Sequence, residues 1–276
     1  MLNLSVIVLT GNEELHIVRC LRNVVGLAKD IFVVDSLSTD RTQEIVESFS
    51  EKNGTTIHFV SHEWPGLYAL QFNWALDNLP IGTEWVLRLD ADEYLTPETI
   101  EKLKSFLSST SNLNVSDSVT GLNLELKRRF CGGEIRHGTV GIRQARIFRA
   151  GIGRCEERAM DEHIILSSGQ VIDFDGAFYD DNLNDMDWWR EKHRGYAKRE
   201  AADALAFARG EVRFKRSKEI YYKQPRYLRC LVYFVIRYFL KLGFLDGRAG
   251  FLWNFWQGLW YRCLVDYEIG KMGRTK

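Results

Sequence analysis

The first ninety residues alternate between short apolar runs and stretches with helical spacing. Residues 4–9, 31–34, 57–60 and 85–89 are apolar runs rich in β-branched side chains. Runs that are apolar throughout fit strands buried on both faces, as in a parallel sheet. Between them, Leu15, Val18, Leu21 and Val25 keep helical spacing over about residues 13–28. Ile45, Val46 and Phe49 continue a helix begun at 38–40, and a third runs from Tyr68 to Leu79, where Pro80 stops it. This alternation predicts an α/β fold, a Rossmann-like, mostly parallel sheet with helices on both faces. Ligands of such sheets bind at the strand carboxyl ends. Thr10, Asp35 and Asp90 stand at three of those ends and should converge on one crevice.

Further along, residues 122–126 and 145–148 read as strands, and 108–118 as a polar loop. A stretch at 173–187 holds six Asp and no Lys or Arg. A long helix follows, capped by Asn184 or Asp185 and ended by Gly210, then two aromatic helices on either side of 243–250. The expected division is an α/β ligand-binding domain at 1–180 and a helical extension at 181–276. Lys and Arg balance Asp and Glu at 37 each, so the whole chain makes no case for a nucleic-acid partner. The balance is uneven along the chain. Residues 190–241 carry 15 basic against 5 acidic side chains, an arm of opposite sign to the body.

The strongest chemical signal is Asp90-Ala91-Asp92, just past a buried strand. Two carboxylates at i and i+2 in such a turn can jointly hold Mg²⁺ or Mn²⁺, with phosphate oxygens completing the shell. Asp35 either accepts from a nucleobase N–H or caps the helix that follows. Thr10, Asn12 and Glu13 fall where a nucleoside site needs them, and equally where any helix begins. Arg143, Arg146 and Arg149 share one predicted strand and are expected near one face or edge, gripping phosphates or facing solvent. The five Cys have neither zinc nor redox spacing and read as free thiols.

Four ordered runs, SVIVLTGNEE, VVDSLSTDRT, LQFNWAL and WVLRLDADEYLTPE, resemble the family-2 glycosyltransferases of the GT-A fold over about residues 3–98. The resemblance implies donor-nucleotide contacts at Thr10, Asn12, Glu13, Asp35, Asn73 and Asp90. It also implies a divalent metal (Mn or Mg) at Asp90 and Asp92, a UDP-sugar donor and an inverting reaction. The chain departs from the family's Val-Asp-Asp-Gly pattern, with Ser36 in place of the second Asp and Leu37 in place of the Gly. The segments at 161–164 and 188–201 are similar to the branch that builds lipopolysaccharide core and exopolysaccharide in bacteria. Inversion requires a general base opposite the leaving group. The family keeps an acidic pair about seventy residues past the metal motif, which here is Asp161-Glu162, and Glu162 is the first choice for that base. Acceptor or phosphate contacts are expected at Arg143, Arg146, His163 and His193.

In the arm, Arg226, Arg229, Arg237 and Lys241 fall on one helical stripe, and Trp253, Trp256 and Trp260 share a face. A basic stripe with an aromatic face suits an anionic membrane surface, and plain packing of a helical appendage is the alternative. No run reaches the ~18–20 apolar residues of a membrane span, and the N-terminal run is too short for a signal peptide. The expected place is therefore the cytoplasm, peripheral on the inner face of the plasma membrane, near a lipid-linked or glycan acceptor. Two other readings are a sugar nucleotidyltransferase and a catalytically inactive scaffold. The first would want a basic, Gly-rich phosphate loop after the first strand, where this chain has the acidic TGNEELH.

Overall fold

A computed structural model describes residues 1–49, 54–110, 118–139, 141–157, 162–214 and 216–274. The chain divides into two compact units, Met1–Lys127 with Gly141–Leu183, and Arg128–Val140 with Asn184–Lys276. In chain order the first unit begins β1 (Leu2–Thr10), α1 (Ile17–Val24), β2 (Ala28–Asp35), α2 (Thr42–Glu47), β3 (Thr56–Ser61), α3 (Tyr68–Asn78) and β4 (Trp85–Asp90). These are the predicted elements. β1 pairs in parallel with β2 on one side and β4 on the other, and β3 pairs in parallel with β2. Neighbouring residues of β1 point to opposite faces, as the pleat requires. Val6 and Val8 pack with Ile17, Leu21 and Val24 of α1, and Ile7 and Leu9 pack with Ala69, Phe72 and Ala75 of α3. Both faces are therefore apolar, which is why the strand sequences show no alternation.

The sheet continues past β4 in the antiparallel sense. β5 (Glu93–Leu95) and α4 (Pro97–Thr110) follow Asp90-Ala91-Asp92, then β6 (Val119–Phe130), β7 (Gly133–Ile135) and β8 (Arg143–Arg149). A small hairpin, β9 (Gly153–Cys155) with β10 (Ile164–Leu166), precedes β11 (Gln170–Asp180). The order across the large sheet is β3-β2-β1-β4-β8-β6-β11-β5, with β7 on β6. It is a mixed sheet with helices on both faces, parallel on one side of β4 and antiparallel on the other. The polar segment at 108–118 lies mostly outside the described residues, and α4 reaches Thr110 before it. The α1 region starts late, because 13–16 form a turn that carries side chains into the site.

In the second unit, β7 folds back on the last residues of β6 through Cys131-Gly132, whose φ angles of 48° and 79° suit a two-residue hairpin turn. The helices are α5 (Met186–Ala208), α6 (Arg216–Tyr222), α7 (Leu228–Val235), which runs on through a π-helical turn to Leu240, α8 (Gly247–Trp253), which continues to Trp260, and α9 (Tyr261–Met272). Asp185 caps α5 by accepting from the Trp188 N–H at 2.8 Å. Glu200, buried on α5, accepts from the Tyr222 and Tyr261 hydroxyls and from Arg262 at 2.7–2.8 Å. Burial pushes its carboxyl up, but Arg262 and the hydroxyls outweigh that and hold it below the usual range.

This unit corrects the expected basic stripe. Arg229 and Arg237 are buried, 5% and 3% exposed, while Arg226 and Lys241 are exposed. Arg229 is paired with Asp266, which also accepts from the Tyr227 N–H at 2.7 Å. Arg237 lies over the Tyr233 and Trp253 rings. Trp253 is buried and packs with Phe130 and Trp189, and Trp256 and Trp260 pack against the same cluster. The Trp face is therefore core. Asp266 draws Arg229 inward, and the Tyr233 and Trp253 rings cover Arg237.

The Arg229–Asp266 pair sets up a stability test. Asp266→Ala leaves a buried guanidinium unpaired and should cost about 3–5 kcal/mol, whereas Arg229→Met with Asp266→Leu should recover most of it. Urea unfolding followed by tryptophan fluorescence reads this, because five of the eight Trp lie in this unit. A loss below about 1 kcal/mol for the single variant would show that the pair does not hold α7 in place.

Candidate active site

The carboxyl ends of β1, β2 and β4 lie side by side, with Thr10 opposite Asp35 and Leu9 opposite Asp90 in register. The sheet thus brings Thr10, Asn12, Glu13, Asp35, Asp90 and Asp92 to one edge. Asp35 is buried and holds the loop after β2. Its Oδ1 accepts from Thr10 Oγ1 at 2.9 Å and Ser38 Oγ at 2.5 Å, and its Oδ2 accepts from the Ser38 N–H at 2.7 Å. A carboxylate offers about four acceptor directions, so one on Oδ2 is left over. Asn12, at φ 60°, accepts from the Thr39 and Asp40 N–H groups at 2.8 and 3.3 Å and ties the first two strand-end loops together. Leu37, where the resemblance expects Gly, adopts φ 58°, the left-handed region that favours Gly, and its side chain is exposed. The loop therefore keeps a glycine-type backbone without the glycine, at a cost of roughly 1–2 kcal/mol.

Glu13 meets His16 in the turn before α1, with Oε2 2.5 Å from Nδ1. The Leu183 N–H donates to Nε2 of His16 at 2.8 Å, so Nε2 is the acceptor and Nδ1 carries the proton toward Glu13. Leu183 stands just past β11, and the same strand end brings more polar groups to the Asp90-Ala91-Asp92 turn. Asn182 Nδ2 donates to Asp92 Oδ2 at 2.9 Å, and the Asp181 N–H donates to the Asp92 carbonyl at 3.2 Å. Arg19 clamps this junction by pairing with Asp181 at 2.7 Å and donating to the Asp92 carbonyl at 3.2 Å. The sequence reading did not include Asp180, Asp181, Asn182 or Arg19 in the site. The signal for the first three was the Asp-rich stretch without Lys or Arg.

Burial first, then the charges of Asp180 and Glu13, and more weakly Asp90, push the Asp92 carboxyl up to about 6, with Asn182 opposing. Asp90 Oδ1 is buried without a hydrogen-bond partner. Its nearest cation is Arg88, at 3.8 Å. Below the turn, Glu93 is buried and accepts from Arg146 at 2.6 Å and from the Asp90 N–H at 2.9 Å. Burial pushes its carboxyl up to about 8, Arg146 pulls against that, and Asp90 and Asp92 add to the rise. Crowded hard-oxygen donors with one orphaned oxygen fit a divalent cation. Among the described residues no three acidic, His or Cys side chains form a ready cage. Two carboxylates completed by substrate phosphates is how Mg²⁺ is commonly bound.

The remaining expected residues divide. Arg88 bonds Glu162 at 3.3 Å through the same nitrogen that faces Asp90, so Glu162 and the metal motif share one guanidinium. Asp161 lies outside the described residues. Asn73 spends both ends of its amide on the Cys155 backbone, at 2.8 and 2.9 Å, and so holds β9 against α3. The three arginines of β8 do not act together, since a step of three cannot keep strand side chains on one face. Arg146 turns inward to Glu93, Arg143 donates to the Phe174 carbonyl at 2.9 Å, and Arg149 pairs with Glu84. His163 binds Glu156 through its carbonyl. His193 belongs to the helical unit, where it stacks on Trp189 with centroids 3.5 Å apart.

An α/β sheet with acidic side chains gathered at its strand ends defines a class of nucleotide-binding folds. Residues 5–143, half of the chain, match Glycosyl transferase family 2, and the chain belongs to that family. The lipopolysaccharide core biosynthesis glycosyltransferase LpsC of Rhizobium meliloti is 30% identical over 171 residues, 62% of this chain and 59% of that protein. An uncharacterized glycosyltransferase of Rickettsia bellii is 33% identical over 106 residues, 38% of this chain and 33% of that protein. The chain thus spans about three fifths of one relative's length and a third of the other's. The crystal structure of S. aureus TarS in complex with UDP superposes over 99% of this chain and 92% of that one, with TM-score 0.48 and 16% identity.

The crowding at Asp92 predicts a pH dependence. A carboxyl held near 6 in the folded state, against an ordinary 3.8, ionises at the fold's expense. That cost is absent below about pH 4, grows as pH rises and is complete above about pH 6. In metal-free protein, Asp92→Asn should therefore raise stability on the order of 1 kcal/mol near pH 8 and change it little near pH 4. Thermal unfolding with EDTA at the two pH values checks this. An equal gain at both would mean that charge repulsion is not the cause.

Proposed function

We propose that the protein is an inverting, metal-dependent glycosyltransferase that moves a sugar from a nucleotide-diphospho-sugar, a UDP-sugar, to a hydroxyl of a lipopolysaccharide or similar bacterial surface glycan. The observation that carries the reading is the acidic strand edge, where Asp92 sits among Asp90, Asp180 and Glu13 with an orphaned Asp90 oxygen. A Mn²⁺ or Mg²⁺ ion there would neutralise the charge that builds on the diphosphate leaving group. Asp90 and Asp92 are the residues that would hold it, and Asn182 keeps the Asp92 carboxylate aimed by its hydrogen bond. Thr10, Asn12 and Asp35 shape the nucleoside side, where the spare acceptor on Asp35 can take a base N–H. Glu162 takes the proton of the acceptor hydroxyl, and Arg88 fixes its carboxylate beside the metal motif. Support for the acceptor class is the lipopolysaccharide core relative. The first unit is the catalytic part, and the second is a helical extension that brings the enzyme to the membrane surface where a lipid-linked acceptor is found.

Two substitutions test the roles. Asp92→Asn should cut sugar transfer by about 10²–10³, the scale for losing one transition-state charge stabiliser, and EDTA should do the same to wild type. Glu162→Gln should keep UDP binding and lower kcat by about 10²–10⁴. Full transfer in EDTA would overturn the metal reading. Full transfer by Glu162→Gln would move the base elsewhere.

A further inference from the structure

The helix from Leu228 to Leu240 is inside out. Arg229, Tyr233 and Arg237, spaced i, i+4, i+8, turn inward, and both arginines are buried. The outward face carries Leu228, Leu231, Val232, Val235, Ile236 and Phe239, all exposed, and ends at Leu240, 74% exposed. These positions repeat at three and four residues and form one continuous stripe. The next turn adds exposed Leu242, Phe244 and Leu245. Single exposed leucines are ordinary, whereas a contiguous apolar face of this size marks a surface that something covers.

We infer that this face lies in an anionic lipid surface, with the helix parallel to the membrane plane. The inference rests on the membrane-surface part of the proposed function and says which surface performs it. Length, charge and side-chain type identify the occupant. Thirteen helical residues span about 20 Å, short of the ~30 Å hydrocarbon core, so the helix can lie in the boundary but cannot cross it. Among the described residues no helix is long and apolar enough to cross. Of the six Lys or Arg in residues 220–248, Arg229 and Arg237 are buried, and the one acid there, Asp246, has a side chain 2% exposed and bound to His137. Lys223 and Arg226 are exposed just before the stripe, and Lys241 and Arg248 just after it. Exposed cations flanking an apolar face, with the one acid there turned inside, complement lipid phosphates and an acyl boundary together. A second copy of the chain fits less well, since a two-fold contact through this face sets the same cations against each other. The exposed Tyr227 ring stands at the start of the stripe, where an amphipathic ring suits a headgroup layer.

Flotation of the full chain with vesicles, read beside light scattering, tests the assignment. Wild type should float with vesicles of phosphatidylethanolamine and phosphatidylglycerol, less with phosphatidylcholine alone, and salt should reduce the anionic preference. The variant Leu231→Gln/Val235→Gln/Phe239→Gln/Leu240→Gln should lose vesicle binding by about tenfold or more, with UDP binding retained as proof of an intact first unit. Lys223→Gln/Arg226→Gln/Lys241→Gln should lose the preference for anionic vesicles. If wild type floats with neither vesicle, the membrane reading itself fails. If the apolar variant floats like wild type, the membrane reading stands and this face is the wrong one. A wild-type dimer that ignores vesicles, and that the apolar substitutions dissociate, would assign the face to a second copy and overturn the inference.

Discussion

The turn after β4 rests on one buried ion pair. Glu93 gives one oxygen to Arg146 and the other to the Asp90 N–H, so a guanidinium from β8 and the backbone of the Asp90-Ala91-Asp92 turn meet on a single carboxylate. Both partners are nearly sealed from water, with side chains 9% and 6% exposed. Removing Glu93 would leave the Arg146 guanidinium buried without its counterpart, which costs several kcal/mol. The pair also joins the two halves of the sheet, since β4 is the last parallel strand and β8 the first antiparallel one. The placing of Asp90 and Asp92 follows from that junction. So does the reach of β11, whose end brings Asp180, Asp181 and Asn182 to the same turn.

Gathering this many acids at one edge works against the apo fold and in favour of ligand binding. Burial and like charges raise both Asp92 and Glu93. The surrounding bonds keep the acids from relaxing apart: Arg19 holds Asp181, Asn182 holds Asp92, and Asp35 holds Ser38. A site strained electrostatically and rigid sterically gains most from a cation and a phosphate-bearing ligand, because their charges meet donors already in position. The left-handed Leu37 belongs to the same economy, held in a glycine conformation by the Ser38 contacts to Asp35.

In the helical unit the buried acids Glu200 and Asp266 are each paired with an arginine, while Arg237 is buried against the Tyr233 and Trp253 rings. Glu200 and Asp266 each gather a guanidinium together with a hydroxyl, thiol or backbone donor, and two of those groups, Tyr261 and Arg262, come from α9. With Arg229 and Arg237 turned inward, the outer face of the helix at 228–240 is left to leucine, isoleucine, valine and phenylalanine.

The alternation of apolar runs with helical stretches determined the parallel half of the sheet, because a strand buried on both faces has no polar residue to spare and the residues at its end are then conspicuous. Thr10, Asp35, Asp90 and Asp92 were legible for that reason, and the family resemblance needed only those local runs. The antiparallel half was less legible. β11 carries alternating polar residues and follows a loop, so nothing local shows that it returns to the metal motif, and Asp180 and Asn182 arrive only through long-range pairing. Asn73 read as a ligand contact from its motif, yet its amide closes on Cys155, a partner 82 residues away. In the arm, periodicity put Arg229 and Arg237 on one helical face, but Arg226 precedes the helix and Lys241 follows it, and a helical wheel carries no sign for inside and outside. That choice belongs to Asp266 and to the rings of Tyr233 and Trp253, which lie far apart in sequence from the arginines they bury or close beside them only on the folded helix. Sequence fixes which side chains travel together, because local geometry is set by a few dihedrals per residue, and tertiary structure decides where they point, because only distant partners can offset the cost of burying a charge.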